Sequence, residues 1–208
     1  MKIVAISDTH SKHLQLHLPI GDLLIHAGDV SGRGTEAEVL SFLDWFASLD
    51  FKYKIFIAGN HDYFFERMTD AYVRNLIPDN IIYLNDEGTE IEGIKIWGSP
   101  VQPWFYDWAF NRRRGREIDK HWKLIPDDTD ILITHGPAHG ILDRTRNGSL
   151  AGCEDLLRRI KKVKPKYHIA GHIHEAYGMV EKDGTTFINA SVLNLRYELV
   201  NEPIVFEI

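Results

Sequence analysis

The feature that most constrains this chain is a series of short islands of carboxylate, imidazole and amide side chains, each placed where an apolar run ends. They are Asp8-Thr9-His10, Gly28-Asp29, Gly59-Asn60-His61-Asp62, His135-Gly136 and Gly171-His172-Ile173-His174. Residues so widely spaced meet only if the preceding strands lie side by side and release their loops along one edge of a sheet. That edge is where open α/β sheets bind ligands. The spacing therefore predicts an α/β fold and, at its edge, a site for two metal ions.

The apolar runs Ile3–Ile6, Leu23–Ala27, Ile55–Ala58, Ile131–Thr134 and Ile169–Ala170 have the texture of strands buried on both faces. Helical patterns lie between them. Thr35 with Glu38 forms a capping-box signature ahead of Val39, Phe42, Leu43 and Phe46, which predicts a helix over about Thr35–Leu49. Leu150, Cys153, Leu156, Leu157, Ile160 and Val163 repeat the pattern after a possible Ser149 cap and stop near Pro165. The segment after His61, through Phe64, Met68 and Leu76, reads as a further helix that stops at Pro78. From Ile81 the chain changes to short strands with turns: Ile81–Leu84, Thr89–Ile91, Ile94–Gly98, Tyr177–Glu181, Thr185–Asn189 and Pro203–Ile208. Strands alternating with helices, followed by hairpins, predict two packed sheets with helices outside, in one domain spanning residues 1–208.

The charge balance narrows the partners. With 24 Lys plus Arg against 30 Asp plus Glu, the formal net charge is −6, so no overall positive field recruits a long polyanion. The expected partner is a small phosphoester, with no extended nucleic acid and no membrane. The start of the chain is too short in apolar residues for a signal peptide, and no stretch is long enough to span a bilayer. The expected location is cytoplasmic, with the single cysteine, Cys153, reading as core on the apolar face of a helix. Oligomeric state is not legible.

The residue types in the islands suit attack on a phosphoester. Its oxygens are anionic, so an enzyme must neutralise that charge and supply hydroxide at neutral pH, which two divalent cations about 3.5–4 Å apart accomplish. Such a pair needs carboxylates, neutral imidazoles and one carboxylate able to bridge. Asp8 and His10 alternate about Thr9 and can grip one ion from one side of a strand end. Asp29 emerges at a tight turn after Gly28, where it can bridge. Asn60 adds an amide oxygen, and His172 and His174 alternate again, with Gly171 permitting close backbone approach. Singly each pair is a common surface feature; together and in this order they are specific.

These islands resemble the signature of the calcineurin-like metallophosphoesterases, across residues 8 to 174. A closer likeness, to the metallophosphoesterase-domain-containing branch, rests on Gly98-Ser99-Pro100, Trp108-Ala109-Phe110, Thr134-His135-Gly136-Pro137, Gly171-His172-Ile173-His174-Glu175 and Asn189-Ala190-Ser191. The resemblance implies a four-layer αββα sandwich of two mixed β-sheets flanked by helices, with a dinuclear site at its centre. It assigns Asp8, His10, Asp29 and His174 to one metal and Asp29, Asn60, His135 and His172 to the other. It also implies a hydroxide between the ions attacking phosphorus, with His61 as acid or transition-state stabiliser and Asn60 and His61 against the substrate. Mn²⁺ comes first among the ions, with Fe²⁺, Zn²⁺ and Mg²⁺ as alternatives. Protein phosphatases of this superfamily follow the bridging aspartate with a Val-Asp-Arg-Gly-like stretch. Here Val30-Ser31-Gly32-Arg33-Gly34 follows instead, which counts against a protein phosphatase and leaves the orienting partner of His61 open.

The expected function is a dinuclear-metal-dependent phosphodiesterase acting on small, cyclic-nucleotide-like esters. The alternatives are a phosphomonoesterase or nuclease of the same superfamily, or a catalytically silent protein-binding module. Of the other histidines, His13, His17, His121 and His168 read as surface or core residues and His26 as a hydrogen-bonded core residue. His139 is balanced between substrate contact and loop stabilisation. The aromatic and arginine-rich segment 97–116 reads mainly as core capping and solvated turn, with room for one aromatic or arginine at the substrate. Asp62, adjacent to His61, reads as a residue of the helix start or the loop.

Overall fold

The computed structural model describes residues 1–208. The first half of the chain lays down β1 (Lys2–Ile6), β2 (Leu23–His26), β3 (Tyr53–Phe56) and β4 (Ile82–Tyr83), all parallel and in that spatial order. Between them run α1 (Glu36–Ser48), α2 (Tyr63–Arg67) and α3 (Asp70–Leu76). A second sheet then forms from β5 (Glu87–Ile91) and β6 (Ile94–Ser99). The short ribbon β7 (Gln102–Pro103) with β8 (Asn111–Arg112) and helix α4 (Arg116–Trp122) precede β9 (Ile131–Thr134). Helix α5 (Glu154–Val163) leads to β10 (Tyr167–Ala170), β11 (Gly178–Lys182) and β12 (Thr185–Asn189). Finally β13 (Ile204–Glu207) returns to the first sheet, antiparallel to β1. The second sheet is ordered β11-β12-β10-β9-β6-β5, parallel at its centre with an antiparallel strand at each edge.

Side-chain alternation sets the layers. In β1, Ile3 and Ala5 face the second sheet while Val4 and Ile6 face α1 and α2; in β9, Ile131 and Ile133 face the first sheet while Leu132 faces α4 and α5. The inter-sheet core is mostly isoleucine, including Ile25, Ile55, Ile57, Ile169 and Ile188, all at most 1 % exposed. Truncating one of them to alanine costs about 2–5 kcal/mol through lost burial and the cavity left behind. Helix, sheet, sheet, helix is thus the expected four-layer sandwich of two mixed sheets. None of the helices is long and apolar enough to cross a membrane.

Several local expectations are corrected. The metal-ligand islands do not follow strands of one sheet: β1, β2 and β3 belong to the first sheet, β9 and β10 to the second. Both sheets release their loops at the same end, where Val192 N–H donates to Ser7 O at 3.0 Å and ties the two edges together. Strand β4 pairs parallel with β3 and does not join the hairpins. The helix expected from His61 to Pro78 is two helices, broken where Thr69 caps α3 by accepting from the Tyr72 N–H. Helix α5 starts late because Ser149 is held in a turn with Thr145 and Asn147. Its cap is Cys153, whose sulfur accepts from the Leu156 N–H at 3.4 Å and is buried, so Cys153 is core at the cap and not on the helical face. Helix α1 has the expected capping box: Thr35 accepts from the Glu38 N–H and the Glu38 carboxylate accepts from the Thr35 N–H.

Candidate metal centre

Each island continues a strand past its last paired residue, and its backbone turns sharply there. Asp8, His10, Asp29 and His172 all have positive φ, between 41° and 69°. Such backbone is costly for residues with a Cβ and is maintained where the surroundings over-determine it. The surroundings here are a lace of backbone bonds: Asp8 N–H to Gly28 O at 2.9 Å, His10 N–H to Asp29 O at 3.0 Å and Gly171 N–H to His135 O at 3.0 Å. Glycines supply the closeness. A Cβ on Gly59 would collide with the Asp29 carboxylate, and one on Gly171 with Ser7 and the Asp8 carboxylate.

The side chains converge. Asp8, His10 and His174 form one group of donors, and Asp29, His135 and His172 another. His10, Asp29 and His61 form a third, so Asp29 is shared. Asp29 Oδ2 lies 3.6 Å from His10 Nε2 and 3.4 Å from His135 Nε2, while His174 Nε2 lies 3.5 Å from Asp8 Oδ1 and 3.4 Å from His10 Nε2. Asn60 Oδ1 is 3.0 Å from His135 Nε2. Donors each about 2.0–2.2 Å from a common ion stand roughly 3–3.5 Å from one another, so these separations fit the edges of ligand shells. The donor types fit as well: two carboxylates, one amide oxygen and several imidazoles, with no thiolate.

Electrostatics match that reading. Burial alone would raise the Asp8 carboxyl, but its contact with His174 and the nearby charges of His174, His135 and His10 hold it well below the usual carboxylate range. Asp29 is likewise lowered against its burial, by the charge and hydrogen bond of His135 and by His10. The counterpart is that His135 is raised to about 9, since Asp29 outweighs the burial that would lower it. His174 is also raised to about 9, by Asp8 against its own burial. Burial lowers His10 to about 4 and His172 to about 3, so these imidazoles are neutral and carry free lone pairs. The far nitrogens are anchored on carbonyls, His135 Nδ1 on Ala27 O at 2.9 Å and His174 Nδ1 on Asn194 O at 3.1 Å. A carbonyl only accepts, so Nε2 is the atom turned to the site.

His61 is half-buried at the pocket mouth. Its Nδ1–H donates to Gly32 O at 2.8 Å, and its backbone N–H donates to Asp29 Oδ1 at 2.8 Å. The orienting partner left open by the sequence is therefore a backbone carbonyl. Asp62 does not touch the ring. Its fully buried carboxylate accepts from Val30 N–H, Ser31 N–H, Ser31 Oγ–H and Gly59 N–H, at 3.1, 2.9, 2.6 and 2.8 Å. It clamps the Asp29 loop to the Asn60 loop. Burial and the neighbouring Asp29 charge push it up to about 6 despite the Ser31 and Gly59 bonds.

Some contributors are not among the predicted ligands. Ser191 Oγ–H donates to Asp8 Oδ2, and Asn189 Nδ2 donates to Ile173 O at 2.9 Å, which puts the Asn189-Ala190-Ser191 segment at the end of β12 directly behind the site. Tyr197 packs edge-on against His10 at 4.8 Å between ring centroids. In the aromatic segment, the core-capping expectation is corrected for three residues: Trp108 lies over His61, and Phe105 and Tyr106 also line the pocket. Ala109 and Phe110 are core as expected, and two of the arginines are engaged elsewhere, Arg112 with Glu66 at 3.1 Å and Arg114 with the carbonyls of Gly152 and Ala151. His139 is not among the residues lining the pocket; its ring faces Asp143 and Glu154, each at 3.9 Å. His26 bonds Thr9 at 3.0 Å, His168 bonds Thr134 at 2.8 Å and His121 pairs with Asp86 at 2.7 Å, and none of the three belongs to the donor groups.

Comparison with known proteins agrees with this geometry. A family model described as calcineurin-like phosphoesterase matches residues 1–176. The chain is 42 % identical over 230 aligned residues to metallophosphoesterase domain-containing protein 1 of Homo sapiens, covering all of this chain and 71 % of that one. It is 37 % identical to UPF0046 protein K07C11.7 of Caenorhabditis elegans, covering all of this chain and 75 % of the relative. Among solved structures, TT1561 of Thermus thermophilus superposes with a TM-score of 0.59 over 90 % of this chain and 88 % of that one. At 11 % identity that likeness speaks for the fold alone.

Proposed function

The chain belongs to the calcineurin-like phosphoesterase family, and from that premise we propose that it is a two-metal phosphodiesterase acting on small, cyclic-nucleotide-like diesters. The observation that carries the two-metal part is the position of Asp29, one carboxylate within reach of two separate imidazole groups. In this reading Asp8, His10, Asp29 and His174 hold one ion and Asp29, Asn60, His135 and His172 the other. Bound there, the ions supply positive charge against the phosphoryl oxygens and lower the pKa of water. The ions would be divalent, Mn²⁺ placed first with Fe²⁺, Zn²⁺ and Mg²⁺ as alternatives, since imidazole nitrogen mixed with carboxylate and amide oxygen, and no thiolate, suits each of them.

The remaining work falls to the chain itself. With Nδ1–H spent on Gly32 O, His61 presents Nε2 to the pocket, the atom that in the doubly protonated ring passes its proton to the departing oxygen, leaving neutral imidazole, or donates to the phosphoryl group. Asn60 and His61 sit side by side at the mouth, and Trp108 excludes water from one face of the imidazole. Asp29 has two tasks: Oδ2 faces His10 and His135, while Oδ1 receives the His61 N–H and fixes that residue relative to the metal pair.

A diester is favoured over a long nucleic acid by the net charge of −6 and by the small pocket, about 230 Å³. An enzyme is favoured over a silent binding module because every donor position is filled by a competent side chain and all of them converge. One domain over residues 1–208 is part of the same reading, supported by the pairing of β13 with β1, as is a cytoplasmic location. The test is metal-stripped protein assayed on bis-(p-nitrophenyl) phosphate. Return of hydrolysis on adding Mn²⁺ is expected; inertness with Mn²⁺, Fe²⁺, Zn²⁺ and Mg²⁺ alike would favour the binding module.

A further inference from the structure

A second recess adjoins the metal pocket, and the two share one wall. The first, about 230 Å³, holds Asp29, Asn60, His61 and His174; the second, about 530 Å³, lies against Trp104, Arg114, Pro137, Thr145 and Ile173. Phe105, Tyr106 and His172 line both. His172 is also one of the donors grouped with Asp29 and His135, so a phosphorus atom held at that group stands at a fork between two cavities. A monoester has one organic arm and would leave the larger recess unused. A diester has two.

We propose that the larger recess is a subsite for the second, non-departing arm of a phosphodiester whose substituent on that side is uncharged, flat and mainly apolar; this rests on the phosphoesterase reading above. The lining supplies the chemistry. Trp104, Phe105, Pro137 and Ile173 offer apolar surface, and Phe105 meets the His172 ring edge-on at 5.0 Å, so an entering ring continues an aromatic wall. The polar groups are already engaged. Arg114 donates to Gly152 O at 2.8 Å and Ala151 O at 2.9 Å, bracing the wall, and Thr145 and Ser149 bond each other at 2.9 Å. Two of the Arg114 nitrogens are committed to carbonyls, so an anionic arm would meet a cation whose N–H groups are largely spent, whereas an apolar arm leaves no buried group unpaired. Trp104 and Tyr106 are 56 % and 78 % exposed, apolar surface that an arm entering between them would remove from water.

Two variants test this. Ala151→Phe fills the recess from its half-buried rim, and Trp104→Ala strips an exposed wall without touching the core. Calorimetric titration of the Mn²⁺-reconstituted protein with diphenylphosphinate and dimethylphosphinate, which carry no ester bond to break, reads the subsite without turnover. Wild type is expected to prefer the diphenyl compound, and each variant to lose about tenfold of that preference, the scale of burying one ring face. Hydrolysis of bis-(p-nitrophenyl) phosphate against methyl p-nitrophenyl phosphate, which share a leaving group, should show the same loss in KM. If both variants fold and keep the wild-type preference, the subsite is overturned. If the preference depends on the recess but neither p-nitrophenyl ester is hydrolysed, the subsite stands and the hydrolase reading falls.

Discussion

The indole of Trp108 lies over the imidazole of His61, ring centroids 4.3 Å apart and planes inclined at 34°. With Nδ1 tethered to Gly32 O, the ring is held from one edge and one face, so Nε2 has a single direction to point. His61→Ala is expected to lower kcat by about 10²–10⁴-fold, the usual worth of a positioned acid, with both metals retained. Trp108→Ala should cost far less, roughly tenfold, because the tether remains. Metal analysis beside steady-state kinetics checks both. Since His61 also groups with His10 and Asp29, loss of metal from His61→Ala would make it a ligand and remove its role as acid.

Asp29 is the residue with most to lose from a neutral replacement. Asp29→Asn keeps the shape and the acceptor for the His61 N–H but removes a charge facing both His10 and His135. The expected outcome is loss of at least one ion on dialysis and turnover reduced by about 10³-fold or more. Retention of two ions and full activity would exclude the bridging role.

The convergence of these donors was legible because the side chain types able to hold a metal stood at the ends of apolar runs. Asp8, His10, Asp29, Asn60, His135, His172 and His174 were each placed that way, and the folded chain brings them together. Sheet membership was not legible, because a strand buried on both faces reads alike in either sheet; only long-range pairing, β13 with β1 and β12 with β10, separates them. The tether of His61 left no trace because a backbone carbonyl has no residue type. Trp108 was visible only as one of many aromatics in 97–116, since an irregular loop has no period to tell which ring turns to the pocket. The start of α5 was misplaced because a cysteine is an unusual cap, while Ser149, the customary type, was occupied in its own turn.

Ser191 supports the site through Asp8. Its hydroxyl donates to Asp8 Oδ2, the oxygen opposite the one facing His174, and so fixes the carboxylate's rotation. Ser191→Ala should weaken metal binding about 10–100-fold with little effect on the unfolding midpoint of the metal-free protein. Competition with a fluorescent chelator measures the first quantity and urea denaturation the second. Unchanged metal affinity would reduce the hydroxyl to a packing role.

Metal uptake should release protons. In the metal-free site His135 and His174 are raised to about 9 by Asp29 and Asp8, so both are protonated near neutral pH, whereas a metal needs the bare Nε2 lone pair. Binding must expel those protons. Apparent affinity therefore rises as pH increases from about 7 towards 9 and levels off above it, while His10 and His172, already neutral, contribute nothing in that window. Calorimetry in buffers of different ionisation enthalpy counts the protons, with about two expected when both ions bind at neutral pH. A heat independent of buffer would mean that the carboxylates do not hold these imidazoles charged.

Asp62 ties the loop bearing Asp29 to the loop bearing Asn60 and His61, and it makes no contact with a reacting group. Its buried carboxylate is the sole side-chain acceptor for Val30 N–H, Ser31 N–H and Gly59 N–H, so truncation strands three buried donors at once. Each stranded donor costs about 1–3 kcal/mol, which puts Asp62→Ala at roughly 3 kcal/mol or more of lost stability. The opposing term is relief of an ionised carboxylate held in a dry site beside Asp29, which is why its pKa stands near 6 and not lower. Asp62→Asn separates the two: its amide oxygen still accepts from some of the donors without the charge, so it should fall between wild type and Asp62→Ala in the urea midpoint. If the alanine variant matched wild type in stability, the two loops would owe their alignment to the backbone lace alone, and Asp62 would be dispensable to the position of His61.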